Sequence, residues 1–403
     1  MKIQTLKGFR DFLPADARKR QFLVGKFREV FEQFGFDGLE TPALEYAETL
    51  LGKYGDEADK LLYVFKDNGG RSVGMRYDQT VPLARVVAQY PQLPMPLKRY
   101  QIQPVWRAEN TQKGRYREFL QCDIDIIGSS SPLSDAEIIA CTLTVCKTLG
   151  FSKSVMKIND RTIFDALGLT KKEIITIDKL DKIGQDAVIE GLKKSGRGDA
   201  DELFKKLKET TLSEMLSLIF ASLRSFGWKE GVDFMFDPFL ARGLDYYTSS
   251  IFELTTESYR AGSLAGGGRY DRLIGQFSGK NVPAVGIAFG FDRMLEAMEE
   301  ANLLPLSPTS TQVLVTIFSP DLVGASLAIT SSLRSFGVNA EVTLDPQDKL
   351  EKQLKYADKK GIPFVVIQGP EEAGKNVVKL KNMLTKDQVE LTVEQVIEKL
   401  QGN

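Results

Sequence analysis

Apolar and polar positions alternate along this chain with two distinct periods. Leu23, Phe27, Val30, Phe31 and Phe34 share one helical face within residues 15–35, and Gly35 follows as a stop. "FDGLETPALEYAETL" predicts a short extended piece ended by Pro42, then a second helix opening near Ala43. "KLLYVFKDNGGRSVGMRYDQT" predicts a hairpin with Asn68-Gly69 as its turn signal. Residues 81–90 read as a helix, and 103–128 as a longer hairpin. Residues 170–225 are helical in period and rich in lysine, which suggests a helical insertion. Strand signals return in "ARGLDYYTSSIFEL" and "VPAVGIAFG", and "FDRMLEAMEEA" makes a helix. A Pro/Ser/Thr linker spans 303–312. Beyond it the pattern predicts strand 313–318, helix 321–335, strand 339–344, helix 348–360, strand 363–368, strand 377–381 and helix 392–401. That alternation describes a compact α/β unit with a mostly parallel sheet.

The long hairpin carries far more charge than its strand-favouring residues lead one to expect. Side chains on a strand alternate between faces. One face takes Arg115, Arg117, Phe119, Gln121, Asp123 and Asp125, and on the incoming strand Arg99, Gln101, Gln103, Val105, Arg107 and Glu109. The other takes Tyr116, Glu118, Leu120, Cys122 and Ile124, with Tyr100, Ile102, Trp106 and Ala108. A sheet with one wet side would account for this. Two features point instead to a cleft. The polar face mixes cations, a carboxamide, carboxylates and a phenylalanine, and it uses Arg over Lys, which suits phosphate and carboxylate geometry.

Composition narrows the chemistry. The 403 residues are 42% hydrophobic and 27% charged, as in an ordinary globular chain of two or three domains. No apolar run approaches the ~18 residues of a membrane span. The opening "MKIQTLKGFRDFLP" lacks the apolar core of a signal peptide. Cys122, Cys141 and Cys146 make neither a disulfide framework nor a zinc pattern, so the expected compartment is the reducing cytoplasm. Fifty-three Lys plus Arg against 54 acids leave a net charge of −1, so any nucleic-acid surface must be local. The chain has no histidine. Serine–histidine and cysteine–histidine hydrolases are thereby excluded. Chemistry must run on Arg, Lys, carboxylates, backbone and substrate groups.

Further segments add candidates. "RYDQTVPLAR" offers Asp78 and Thr80, a pair that could hold an ammonium group or equally form a turn or helix cap. "ARGLDYYTSSIFE" sets Arg242 beside a glycine, with Tyr246 and Tyr247 close behind. "LAGGGRYDRLIG" holds Gly266, Gly267 and Gly268 before Arg269 and Tyr270. It lacks the Lys-Ser/Thr of a phosphate loop, so the glycines read as room for close backbone approach. "GIAFGFDRM" places Arg293 in the first turn of a helix.

Taken together these segments resemble the class II histidyl-tRNA synthetases. "FGFDGLETPALE" is similar to the first class II motif, "WRAENTQKGRYREF" to the second and "VGIAFGFDRM" to the third, while "ARGLDYYTSSIFE" and "AGGGRYD" resemble the two histidine-specific signatures. The chain departs from many members at Asn110-Thr111, where they carry Arg-Pro. The resemblance implies an α+β fold: an antiparallel sheet flanked by helices, a helical insertion at about 170–225 and a C-terminal α/β anticodon-binding domain. The catalytic domain would span 1–306, the linker 303–312 and the anticodon-binding domain 313–403. It implies a homodimer, no membrane partner, and ATP, L-histidine and tRNA(His) as substrates, with Mg2+ accompanying ATP and no separate metal site. Phe119 and Arg293 would sandwich adenine, and Arg107, Glu109 and Arg115 would hold ATP and its phosphates. Asp78, Thr80 and Gln121 would take the α-amino group. Asp125 and Tyr247 would face the imidazole, with Tyr246 and Tyr270 in the same pocket. Arg242, with Arg107 the expected catalytic cation, would sit at the substrate carboxylate and α-phosphate. The alternative is the histidine-sensing regulatory paralogue of ATP phosphoribosyltransferase, which shares the fold but lacks the C-terminal domain and has eroded arginine signatures.

Overall fold

The computed structural model describes residues 3–52, 60–110, 116–242, 246–259, 262–304 and 308–402. Two compact units emerge. One comprises the residues up to Asp11 and Leu23–Leu304, the other Phe12–Phe22 and the described residues from Pro308 onward.

The first unit is built on strands β1 (Asp37–Gly38), β2 (Leu44–Tyr46), β3 (Val64–Lys66), β4 (Ser72–Met75), β5 (Leu97–Trp106) and β6 (Glu118–Ile127). These are followed by β7 (Ser154–Asp160), β8 (Phe234–Phe236), β9 (Ser250–Thr256), β10 (Ala265–Arg269) and β11 (Ala284–Phe289). Eight of them form one sheet in the order β1–β5–β6–β11–β10–β9–β7–β8. The six inner strands run antiparallel, and the short edges β1 and β8 join in parallel. Helices cover one face. Phe27 and Phe31 of the helix Pro14–Gln33 set their rings 4.9 and 5.6 Å from Phe289, which ties the first apolar stripe to β11. The helix Pro132–Thr148, capped by Ser131, buries Ile138, Ile139, Cys141, Leu143 and Val145. On the same side a buried ion pair joins Asp135 to Arg269, with Ser250 donating to the same carboxylate. The opposite face is left for the polar side chains of the hairpin.

The expected insertion separates into two parts. The helices Lys171–Ile177, Leu180–Ile183, Gln185–Lys194 and Ala200–Lys208 share a core of Ile177, Val188, Leu192, Leu203 and Leu207, which runs on into Leu240, Ala241 and Tyr247. The helix Glu214–Ser225 packs on Pro132–Thr148 instead. Its stripe of Leu216, Ile219, Phe220 and Leu223 has the same period as the others, so period alone does not choose its partner.

Two local expectations need correction, and one between them holds. No helix opens at Ala43. Leu44–Tyr46 pairs antiparallel with Val73–Met75, and the helix begins at Ala47. The expected hairpin forms from β3 and β4, turning through Asp67–Arg71 around Asn68-Gly69, with positive φ at Gly70. In the second unit β12 (Val313–Val315), β13 (Ala340–Val342), β14 (Phe364–Ile367), β15 (Val378–Asn382) and β16 (Gln388–Leu391) stand in the order β13–β12–β14–β15–β16. Only the β13–β12–β14 part is parallel, and the other two pairings are antiparallel. The mostly parallel expectation fails because β16 adds an antiparallel edge: its QVEL alternates polar and apolar residues, but over only four largely exposed positions, too few to announce a strand. The middle of the linker, 305–307, lies outside the described residues. Among the described residues no helix is long and apolar enough to cross a membrane.

Candidate active site

The register of β5 and β6 sets Arg99 opposite Asp125, Gln101 opposite Asp123, Gln103 opposite Gln121 and Val105 opposite Phe119. The polar face therefore exists as alternation predicts. It is not a solvated face: Arg99, Gln101, Gln121, Asp123 and Asp125 are all buried, none more than 8% exposed. On the other side of β6, Gly286 of β11 lies opposite Asp125. A Cβ at Gly286 would overlap the Asp125 carboxylate.

The glycine run of β10 works on two faces. A Cβ at Gly266 would run into the Arg242 guanidinium, and one at Gly268 would come within 2.8 Å of the Tyr247 ring. Gly267 faces the other way, where a Cβ would meet Phe252 and the backbone of Gly286 and Ile287. Close backbone approach is thus a role of Gly267, and of Gly268 against Ser250 O at 2.5 Å. Gly266 and Gly268 give a bare floor on which two functional side chains lie.

Around that floor the charges are arranged in pairs. Arg99 Nη2 stands 2.7 Å from Asp125 Oδ2, with both side chains buried. The Tyr270 hydroxyl donates to Asp125 Oδ1. Gln121 Nε2 donates to Asp123 Oδ2 at 2.7 Å. Burial pushes the Asp123 carboxyl up to about 8, with Arg99 opposing the shift and Asp125 adding to it. Burial also raises Asp125, against Arg99 and the Tyr270 hydroxyl. It drives the phenols of Tyr246 and Tyr270 well above their ordinary value, so both remain donors at neutral pH. The Tyr246 ring lies 4.5 Å from Tyr247 and 5.9 Å from Tyr270, edge to face with the latter. Arg242 Nη1 reaches Glu253 at 3.3 Å. Asp78, also buried, accepts from Val81 N at 3.1 Å and so caps the helix Thr80–Gln89, whose first residue is Thr80. Among the described residues the buried oxygens Gln79 Oε1, Gln121 Oε1 and Asp123 Oδ1 accept no hydrogen bond. Buried acceptors left unpaired are costly, and a cluster of them fits a cationic, donor-rich ligand.

The far end of the same face opens into a cleft of about 330 Å³ lined by Arg107, Glu109, Phe119 and Arg293, with Phe291 and Asp292. Arg107 Nε is anchored on Tyr77 O at 2.9 Å, which holds its guanidinium 5.0 Å from the Phe119 ring. Arg293 Nη1 donates to Ser263 O at 3.2 Å. A larger depression of about 580 Å³ in the insertion, beside Lys171, Lys172 and Arg197, lacks any aromatic platform. Arg115 lies outside the described residues, as does Thr111. The structure thus gathers two groups of candidates: Arg107, Glu109, Phe119 and Arg293 around the cleft, and Gln121, Asp125, Tyr270, Tyr246, Tyr247 and Arg242 around the glycine floor. Arg10 escaped sequence reasoning. It donates to Asp292 at 2.9 Å and lies 3.3 Å above the Tyr116 ring, yet a lone arginine ahead of a helix carries no periodic signal. Arg99 and Asp123 were legible as members of the polar face but not as a charge pair and an amide partner.

A six-stranded antiparallel core with parallel edges, helices on one face and a charged hairpin on the other is the class II aminoacyl-tRNA synthetase fold. A family model described as histidyl-tRNA synthetase matches residues 8–180 and 168–294, and one described as anticodon binding domain matches 312–403. The histidine–tRNA ligase of Cytophaga hutchinsonii is 40% identical over 98% of each chain, and that of Bacteroides fragilis 38% over 97% of each. The crystal structure of histidyl-tRNA synthetase from Nostoc sp. PCC 7120 superposes with a TM-score of 0.88 at 30% identity, covering all of this chain and 99% of that one. The chain belongs to the histidyl-tRNA synthetase family. A Bacillus halodurans structure described as an ATP phosphoribosyltransferase regulatory subunit/histidyl-tRNA synthetase has a TM-score of 0.73 at 22% identity, a likeness of fold alone.

Proposed function

We propose that the protein activates L-histidine with ATP, forming histidyl-adenylate and pyrophosphate, and then transfers histidine to the 3′ end of its cognate tRNA. The observation that carries this reading is the length of β6. Its polar face has an aromatic and cationic cleft at Phe119 and a buried acceptor cluster at Gln121–Asp125. The six residue steps from Phe119 to Asp125 span roughly 20 Å, the scale of an aminoacyl-adenylate laid along the strand.

Adenine stacks between Phe119 and Arg293, and Arg107, Glu109 and Arg115 hold the phosphates. Asp78, Thr80 and Gln121 receive the α-ammonium group, while Asp125 and Tyr247 face the two ring nitrogens of the imidazole, with Tyr246 and Tyr270 closing the pocket. Mg2+ would arrive with ATP, held through phosphate oxygens and retained waters, and would offset the phosphate charge. The histidine carboxylate attacks the α-phosphorus and pyrophosphate leaves, so this step requires no general base. Arg242, lying on the glycine floor, and Arg107 stabilise the charge that develops on phosphorus. A chain without histidine loses nothing in such a mechanism.

Residues 1–306 serve as the catalytic domain and 313–403 as the anticodon-binding domain, a division that the family match over 312–403 supports. Exposed Leu44 and Tyr46 on β2 and Phe65 on β3 share one face of the three-stranded sheet, an apolar surface that favours a homodimer. Three buried thiols suit a cytoplasmic protein. The test is histidine-dependent ATP–pyrophosphate exchange followed by charging of a tRNA with the histidine anticodon. Exchange with neither histidine nor any other amino acid would instead favour the regulatory paralogue.

A further inference from the structure

The amide of Gln121 can present either an oxygen or a nitrogen to a ligand, and its surroundings decide which. Nε2 is engaged by Asp123 Oδ2 at 2.7 Å, two positions along the same face of β6. Oε1 is buried and accepts no hydrogen bond from the described residues. The main-chain oxygen of Gln121 is occupied separately, by Gln79 Nε2 at 3.0 Å. A carboxylate accepts and cannot donate. Without a bound cation, burial holds Asp123 at about 8, so at neutral pH it is mainly protonated and could donate to Oε1. Once ionised, as Arg99 and a bound cation favour, it permits one orientation of the amide, with its nitrogen turned to Asp123 and its oxygen left over.

We infer that Asp123 is a positioning residue that orients the Gln121 amide, so that the pocket offers an acceptor and selects an α-ammonium group over other α-substituents. The inference rests on the proposed contact between Gln121 and that ammonium group. A purely structural reading of Asp123 would make it the counter-ion of Arg99. Yet the carboxylate in contact with Arg99 at 2.7 Å is Asp125, whereas the hydrogen bond of Asp123 goes to Gln121. A second buried carboxylate beside Asp125 is costly to the fold, and amide orientation is a return that packing does not explain. The groups acting on Asp123 are Arg99 from β5, Asp125 from β6 and Asp78 from the turn before the helix Thr80–Gln89. A bound ammonium group adds to Arg99 in favouring the ionised form, so ligand and amide orientation reinforce each other.

The test is ATP–pyrophosphate exchange with L-histidine and with L-β-imidazolelactate, whose α-hydroxyl can bond to either end of an amide. Wild-type enzyme should prefer histidine by at least about tenfold in kcat/KM. In Asp123→Asn the partner can donate as well as accept, so the amide is free to turn. The KM for histidine should rise about tenfold to hundredfold, the loss of one charge-assisted bond, while that for the lactate moves less than about threefold and the KM for ATP stays put. Adding Gln121→Glu to Asp123→Asn restores a fixed acceptor, with the asparagine now donating to it, and should recover most of the histidine affinity. Equal losses for both substrates, or no recovery in the double variant, would overturn the inference. If Asp123→Asn does not fold, as read by ATP binding, the double variant and the wild-type preference decide. A wild type indifferent to the α-substituent has no acceptor wall. Absence of exchange in wild type would instead defeat the proposed function.

Discussion

Gly266→Ala should separate chemistry from folding with a single methyl group. The added Cβ would stand 2.6 Å from Cζ and 2.8 Å from Nη2 of Arg242. Nη1 overlaps it outright, and carbon contacts settle near 3.5–4.0 Å, so the guanidinium must withdraw by roughly 1.5–2 Å. It can do so cheaply. The Arg242–Glu253 pair at 3.3 Å is partly exposed, and such a pair contributes about 1 kcal/mol or less. Alanine in a strand recovers about 0.5–1 kcal/mol relative to glycine. Stability should therefore change by no more than about 1 kcal/mol. The rate should fall much further, because displacing a preorganised cation from developing charge costs about 10²–10³-fold, or roughly 3–4 kcal/mol. Gly267→Ala is the control. Its Cβ would meet Ile287 Cα at 2.7 Å and the Gly286 main chain, neither of which can swing aside, so overpacking should cost about 1–3 kcal/mol. The assay pairs ATP–pyrophosphate exchange with urea unfolding. If folded Gly266→Ala exchanges within about threefold of wild type, Arg242 does not act from the position it holds over β10. If Gly266→Ala unfolds as readily as Gly267→Ala, the distinction between the two faces is wrong.

Other consequences are equally open to measurement. Asp125→Ala should raise the KM for histidine by at least about tenfold, through loss of a charge-assisted bond, and leave that for ATP unchanged; an unaltered histidine KM would remove Asp125 from the pocket. The folded-state value of about 8 for Asp123 lies above the unfolded ~3.9. Its stabilising contribution is therefore complete below pH ~4 and disappears as pH rises through about 8, with a slope of at most about 1.4 kcal/mol per pH unit. Urea unfolding of the unliganded protein between pH 6 and 9 should show that decline, and Asp123→Asn should flatten it. An identical slope in the variant would assign the decline to other groups. Finally, an RNA stem–loop carrying the histidine anticodon should inhibit tRNA charging and leave exchange untouched. Undiminished charging at saturating stem–loop would count against the anticodon role of residues 313–403.

The division of β5 and β6 into two faces was legible without any structure, because the two-residue period follows from the covalent geometry of an extended chain. The helices were legible for the same reason, and so was the exclusion of histidine-dependent catalysis, a matter of counting. What the chain does with those faces depends on neighbours distant in sequence. Only the packed sheet puts Gly286 beside Asp125 and slides the two-faced run of β10 beneath Arg242 and Tyr247. Only burial turns Asp123 from an ordinary surface carboxylate into one held near 8. Arg10 acquires its place from Asp292, 282 residues away, and β2 and β16 exist because partners are present to pair with them. Local periodicity is encoded within a few residues, so a sequence displays it directly. Burial, pairing and electrostatic environment are sums over residues brought together by folding, and tertiary structure alone supplies those terms.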